Sequence, residues 1–451
     1  MACWKRGRFA VTVFAVELVF LILFGIFAEY RYDVEVETRW FYPMFQNVHV
    51  MMFIGFGFLM TFLKKYGYSA LSINFLIAAL VLQWHILFKG LMHFSPGHYG
   101  ISVGLTDLIT ADFTAAAVLI SFGAVIGKTS PLQLVVMALL EVPIFAANEY
   151  IAVKFQASDI GGSMVVHVFG AYYGLAVAKT IYKVSQSHHE NESSSYQSDI
   201  FSMIGAIFLW LYWPSFNSAI ATSEEQQVRA IINTYLALAS CVLVTFAMSS
   251  IFDRHARFNM LKMSAHPECN TRGGVAVGTS ANFMIQPWGA ILIGCLAAVL
   301  STTGFEYLQP MLEKKLRLHD SCGVHNLHGM PGVLAAVIAI IAVSFANVER
   351  YGHELGETFP AMANTTDGAR TSAQQAGYQA ATLGVTIAMS LVGGLITGLV
   401  LRLVPGLDQP DEHYYYSDAK HFLVEEGMES LSSKASSDAD AQEVKETEEK
   451  I

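Results

Sequence analysis

Two histidines lie inside stretches of this chain that are apolar enough to cross a membrane, and each follows an aspartate in the same frame. The stretches read Asp159-Ile160-Gly161-Gly162-Ser163-Met164-Val165-Val166-His167 and Asp320-Ser321-Cys322-Gly323-Val324-His325-Asn326-Leu327-His328. Gly162 and Gly323 fall at the same offset, and Gly170-Ala171 and Pro331-Gly332 follow the two histidines. Ionisable side chains are rare in hydrocarbon and mark functional sites when present. Two in a repeated frame point to a site built between two related halves; the competing reading is a pair of interhelical hydrogen-bonding histidines. Low dielectric disfavours imidazolium, so both rings are expected to be neutral. A neutral ring offers one donor and one acceptor, and a shared hydrogen bond would fix both tautomers. Such a pair suits a small uncharged polar solute such as ammonia or water, and it could relay a proton. A metal is the weaker reading, because no Cys, Asp or Glu at helical spacing completes a coordination shell. Neither metal nor cofactor is expected.

Asp159 and Asp320 precede Gly-rich helix starts, where a carboxylate accepts backbone N–H groups as a cap. For Asp159 the functional alternative is electrostatic help for an ammonium ion. The glycines around both histidines permit close helix packing. Asp112-Phe113 lies inside a hydrophobic run, and Trp213-Pro214-Ser215-Phe216-Asn217 ends another. Two Phe rings could obstruct a narrow pore and favour a cation above them.

The elements that position these residues follow from composition. The chain has 451 residues, 53% hydrophobic and 14% charged, with mean hydropathy +0.43. Soluble chains carry roughly a quarter charged residues, so this is an all-α polytopic membrane protein. Twelve spans are expected near 9–28, 46–63, 69–88, 101–126, 132–153, 160–182, 200–220, 229–252, 273–286, 288–306, 323–346 and 377–403. The ninth is short for a segment that needs about 20 residues. The first follows Lys5, Arg6 and Arg8 as a signal peptide would, but Ala28-Glu29-Tyr30-Arg31 is no cleavage site, so it reads as a retained helix. Residues 1–404 form the membrane domain; 405–451 form an acidic, largely disordered tail with a docked stretch at 413–424.

Orientation follows from the basic loops. Lys64/Lys65, Lys128, Lys179/Lys183, Arg254/Arg257/Lys262, Lys314/Lys315/Arg317 and Arg402 share one side, read as cytosolic together with both termini. The opposite loops are acidic. Asn364-Thr365-Thr366 is a glycosylation sequon on that acidic side. The five cysteines make neither a disulfide framework nor a metal cage. The net charge of −10 sits in the tail and one loop and does not bear on nucleic acid, for which no partner is expected.

The sixth and eleventh spans carry the Asp/His frames in opposite orientation. Spans 2–6 and 7–11 therefore read as an inverted repeat of two five-helix halves, with an extra helix at each end. Eight helical residues rise about 12 Å. From opposite faces of a core about 30 Å thick, both histidines reach the midplane, where they can meet.

The strings Asp159–Ala171, Tyr212–Ala219, Asn326–Gly332, Val48–Thr61 and Gly273–Thr279 resemble the Rh glycoprotein branch of the ammonium transporter superfamily, most of all its non-erythroid type C members. The resemblance covers residues 1 to about 425. It implies a homotrimer of twelve-helix subunits in the plasma membrane, each passing ammonia through its own pore, with carbon dioxide as a second solute. By motif, His167 and His328 resemble twin pore histidines, Phe113 and Phe216 a stacked gate, and Asp159 the buried acid near the pore. Glu149 resembles an acid of the outer vestibule, and Asp199 and Glu313 acids of the inner one.

One stretch departs from the family pattern. After Asn259-Met260 the chain reads Leu261-Lys262-Met263-Ser264-Ala265-His266-Pro267-Glu268-Cys269-Asn270-Thr271-Arg272 before Gly273-Gly274. Codons for the family's Ile-Gln-Asn-Ala-Thr-Leu-Ala, read in a shifted frame, can give His-Pro-Glu-Cys-Asn-Thr-Arg. Residues 261–272 are therefore expected to be a frame or exon-boundary error in translation, which an in-frame transcript would contradict.

The function expected is gradient-driven, bidirectional passage of ammonia drawn from recruited ammonium. Net ammonium transport or ammonium/proton exchange is the nearer alternative. A sensor or scaffold acting through the tail is the reading from another class. No nucleophile, nucleotide site or energy-coupling motif is apparent, so no enzyme is expected.

Overall fold

The computed structural model describes residues 2–31, 37–92, 100–253, 255, 271–363 and 368–424. The helices are numbered here by span: α1 Ala2–Phe27, α2 Arg39–Phe62, α3 Gly67–Met92, α4 Leu105–Val125, α5 Pro131–Lys154 and α6 Ser163–Ile181. The second set is α7 Tyr196–Phe216, α8 Glu224–Phe252, α9 Arg272–Gly278, α10 Gln286–Leu316, α11 His325–Ser344 and α12 Ser372–Leu403. Among the described residues, 11 helices are long and apolar enough to span a bilayer. The exception is α9, at 7 residues. Its Gly273-Gly274 start packs closely against α8: a Cβ on Gly273 would lie 2.4 Å from the Ala237 carbonyl oxygen.

Among the described residues the fold is helical but for one short parallel pair, β1 Ala28–Tyr30 with β2 Ile101–Val103. This pair ties the end of α1 to the entry of α4.

Helix α4 sits at the centre, with every residue from Ile109 to Val125 buried. Small residues let other helices approach it. A Cβ on Gly170 of α6 would lie 2.5 Å from the Ala117 carbonyl oxygen, and one on Gly174 2.7 Å from Ser121 Cα. In lipid, helix association rests on such close van der Waals packing rather than on expulsion of water. The outer faces of α1 and α12 present exposed Leu, Ile, Val and Phe, among them Phe14, Leu21, Val392 and Ile396.

At one end the basic loops converge on the chain after α12. Gln409 Nε2 donates to the carbonyls of Lys128 and Ile181, Asn191 Nδ2 donates to the Tyr415 carbonyl, and Tyr416 Oη donates to the Gln186 carbonyl. Asp418 accepts the backbone N–H groups of Tyr68 and Ser69 at 2.9 and 2.7 Å, capping the start of α3. At the opposite end Arg229 pairs with Glu354, and Arg370 donates to the Phe155 carbonyl. Asn364, residues 261–270 of the departing stretch and the tail beyond Val424 lie outside the described residues. Of that stretch Arg272 is described. It is buried, donates to Thr302 Oγ1 at 3.1 Å and lies over the Phe305 ring.

Candidate functional site: a histidine pair between two half-sites

Each histidine is delivered by the same local device. Asp159 Oδ2 accepts the N–H groups of Met164 and Val165, at 3.0 and 2.9 Å. Asp320 accepts from Gly323, Val324 and His325, each at 3.0 Å. Gly162 and Gly323 then take left-handed backbone, φ 63° and 73°, which glycine adopts without a Cβ penalty. The first turn after each glycine is π-helical, over Ser163–Val168 and His325–Gly329, and holds the histidine. The His167 N–H reaches back five residues to the Gly162 carbonyl at 3.1 Å. Such π turns recur at functional sites because they re-aim a side chain out of the regular helical row.

The two devices bring the rings together. His167 Nδ1 and His328 Nδ1 stand 3.1 Å apart, with ring centroids 5.2 Å apart and planes inclined by 6°. They are 1% and 3% exposed, inside the helical bundle rather than on its lipid face. Imidazolium carries hydrogen on both nitrogens, so this contact excludes two charged rings. His167 Nε2 is buried and has no hydrogen-bond partner.

Aromatic rings enclose the pair. Trp213 lies nearly parallel to His167 at 5.5 Å, and Phe56 to His328 at 6.5 Å. Phe113 and Phe216 pack at 4.5 Å, and Phe216 stands 5.8 Å from His167. The phenyl planes cross at 53°, so the two rings are tilted rather than parallel. Short helix α9 closes the wall opposite: Ser163 Oγ donates to the Val275 carbonyl and accepts the Thr279 N–H, both at 2.7 Å. Thr279 Oγ1 donates to Asp159 Oδ1 at 2.6 Å. Burial outweighs these bonds and raises the Asp159 carboxyl to about 6.

Three further acids stand apart from the pair. Glu149, near the end of α5, lies 3.9 Å from Lys89 Nζ. Asp199 sits in the first turn of α7, half-buried. Glu313 lies 4.0 Å from His319 Nε2, which is held at 2.6 Å by Glu192. Lys128 Nζ donates to the His319 carbonyl at 2.7 Å. No group of three or more His, Cys, Asp or Glu poised for a metal occurs among the described residues.

Sequence reasoning did not single out Trp213, Phe56 or Thr279 as part of the site. Trp213 and Phe56 belong to strings that carry the family resemblance. Thr279 closes the Gly273–Thr279 string, but nothing in its spacing points to Asp159.

Comparison with known proteins identifies the family. Residues 10–421 match the model of the Ammonium Transporter Family. The Xenopus laevis ammonium transporter Rh type B-B is 47% identical over 385 residues, covering 80% of this chain and 82% of the relative. The Pongo abelii Rh type C protein is 46% identical over 360 residues, covering 77% and 75%. Type B and type C relatives thus stand at the same level. Among solved structures, Nitrosomonas europaea Rh50, described as a channel of the Rhesus protein family, superposes with a TM-score of 0.72 at 32% identity, covering 89% of this chain and 97% of its own. Saccharomyces cerevisiae Mep2, at 18% identity and a TM-score of 0.65, shares the fold over 87% and 95% of the two chains. The chain belongs to the ammonium transporter family, within its Rh glycoprotein branch, and is a multi-pass ammonia/ammonium channel of the membrane.

Proposed function

We propose that neutral ammonia is the species that crosses, through a lumen lined by His167 and His328 and gated by Phe113 and Phe216. The observation that carries this reading is the Nδ1–Nδ1 contact of 3.1 Å between two buried rings. It leaves His167 Nε2, buried and unpartnered, for a small polar solute and offers no fixed anion to a cation. Carrying a charge through such a lumen costs several kcal/mol, so ammonium gives up its proton before the phenyl rings and ammonia regains one on leaving. Glu149 serves recruitment on the acidic face, Asp199 and Glu313 on the basic face, and Asp159 holds the turn that aims His167.

The basic loops favour a cytosolic assignment for their face and for both termini. The protein is proposed to act in the plasma membrane as a homotrimer, with the sequon at Asn364 glycosylated outside and carbon dioxide as a second solute. It works as a transporter without catalysing a reaction.

Purified protein in liposomes tests the reading. Under an inward ammonia gradient the lumen is expected to alkalinise faster than in protein-free liposomes, with no saturable current in voltage-clamped cells. A saturable inward current that tracks ammonium would instead mean that charge crosses.

A further inference from the structure

The acidic face of the bundle carries a cation of its own, beside the acid assigned to recruitment. Lys89 lies in the last turn of α3, Thr110 in the second turn of α4 and Glu149 near the end of α5. Lys89 Nζ donates to Thr110 Oγ1 at 3.3 Å and stands 3.9 Å from Glu149 Oε2. The Lys89 and Glu149 side chains are 29% and 24% exposed, so solvent reaches both.

A lysine head group is ammonium with one N–H replaced by an alkyl chain. It keeps the charge and three of the four donors. Whatever Glu149 and Thr110 offer to ammonium arriving from the acidic face, they already offer to Lys89. The α3 backbone holds that group beside the acid, and a tethered group competes at an effective concentration of about millimolar.

The contact is close enough to compete and loose enough to yield. Charge-assisted N–H···O bonds run at about 2.7–2.9 Å, so Lys89 and Glu149 attract each other without a direct hydrogen bond. Lys89 also lines a cavity of about 290 Å³ together with Arg31 and Asp107, which pair with each other at 2.7 Å. Displaced from Glu149, the Lys89 head group has room to occupy, and the acid in that cavity already has its cation.

We propose that Lys89 is a tethered competitor at Glu149 and sets the ammonium concentration at which the acidic face loads. Ammonium takes the acid by displacing Lys89 and leaves it when Lys89 returns. An exposed ion pair is worth at most about fivefold in a binding constant, so Lys89 tunes loading rather than blocking it. This inference rests on the reading of Glu149 as a recruiting acid.

The test uses the full-length protein in liposomes, with ammonium chloride as the probe, protein-free liposomes as the baseline and melting temperatures matched across the set. At low ammonium, alkalinisation is expected to run about fivefold faster in Lys89→Gln and Lys89→Met than in wild type. The rates are expected to converge as ammonium rises. Lys89→Arg, which keeps the charge, is expected to stay within about twofold of wild type. Glu149→Gln is expected to slow alkalinisation at low ammonium. In that background Lys89→Gln is expected to change the rate by less than about twofold, because no carboxylate remains to be contested. Rates unchanged in both neutral variants, a gain that persists at every concentration, or an equal gain in the Glu149→Gln background each overturns the proposal. Glu149→Gln that conducts like wild type overturns the recruiting role of Glu149 itself, and the competition with it.

Discussion

His167 Nδ1 and His328 Nδ1 face each other at 3.1 Å from two helices that enter the bundle in opposite senses. Only one of the two atoms can carry the shared hydrogen, so one ring is the Nδ1–H tautomer and the other the Nε2–H tautomer. Of the pair, His167 Nε2 is the buried ring nitrogen without a partner, acceptor or donor according to which ring holds the shared hydrogen. The arrangement is symmetric in backbone and asymmetric in protons, as a relay of hydrogen bonds to a passing solute needs.

Phe216 stands between the Phe113 ring and His167, at 4.5 and 5.8 Å. Phe216→Ala opens that step and is expected to let water or small cations accompany ammonia. Osmotic water flux in liposomes is expected to rise severalfold over wild type; an unchanged water flux contradicts a gating role for this ring.

Gly170 packs where a Cβ would lie 2.5 Å from the Ala117 carbonyl oxygen. Gly170→Ala forces α6 away from α4, and overpacking of this kind costs about 1–3 kcal/mol. The melting temperature is expected to drop and permeability with it, because His167 rides on the displaced helix. A variant as stable as wild type would show that α6 has room to shift.

Lys128 is 1% exposed in the loop between α4 and α5. Burial lowers its ammonium from 10.5 to about 8, although Asp320 and Glu192 pull the other way. The folded state thus releases this proton before the unfolded chain does, so stability rises with pH between about 8 and 10.5. Below pH 8 both states carry the charge, and the full cost of burying it remains. Relative to Lys128→Met, wild type is expected to gain about 1–3 kcal/mol across that window. Melting curves at pH 7.5 and 10 measure it, and parallel behaviour of the two proteins contradicts it.

Asp418 caps α3 from the far end of the chain. Asp418→Ala is expected to lower stability by about 1 kcal/mol, the usual worth of an N-cap. Deletion of residues 425–451 is expected to leave ammonia flux intact. Flux lost on that deletion would favour a regulatory role for the tail.

Much of this was legible in the sequence because membrane helices announce themselves. Eleven of the twelve spans are long apolar runs, and the Asp-to-His frame repeats visibly. The short α9 was legible too, as a run too brief to cross. What sequence could not supply was chemistry made by tertiary contact. The Thr279 hydroxyl reaches Asp159 across 120 positions, and Trp213 covers His167 from another helix. No local periodicity encodes either contact. The tilt of Phe113 against Phe216 likewise depends on how α4 and α7 cross, which spacing along one chain does not fix. The β1–β2 pair was missed because three-residue strands leave no pattern of alternation to read.

The central claim is that ammonia passes by way of the His167–His328 pair. Stopped-flow alkalinisation of liposomes containing wild type, His167→Ala or His328→Ala, at matched protein content, tests it most directly. Each truncation removes half of the shared hydrogen bond and leaves its partner buried and unsatisfied, at a cost of about 1–3 kcal/mol. Permeability is therefore expected to fall by roughly tenfold in both variants. Permeability unchanged from wild type in both would contradict the account.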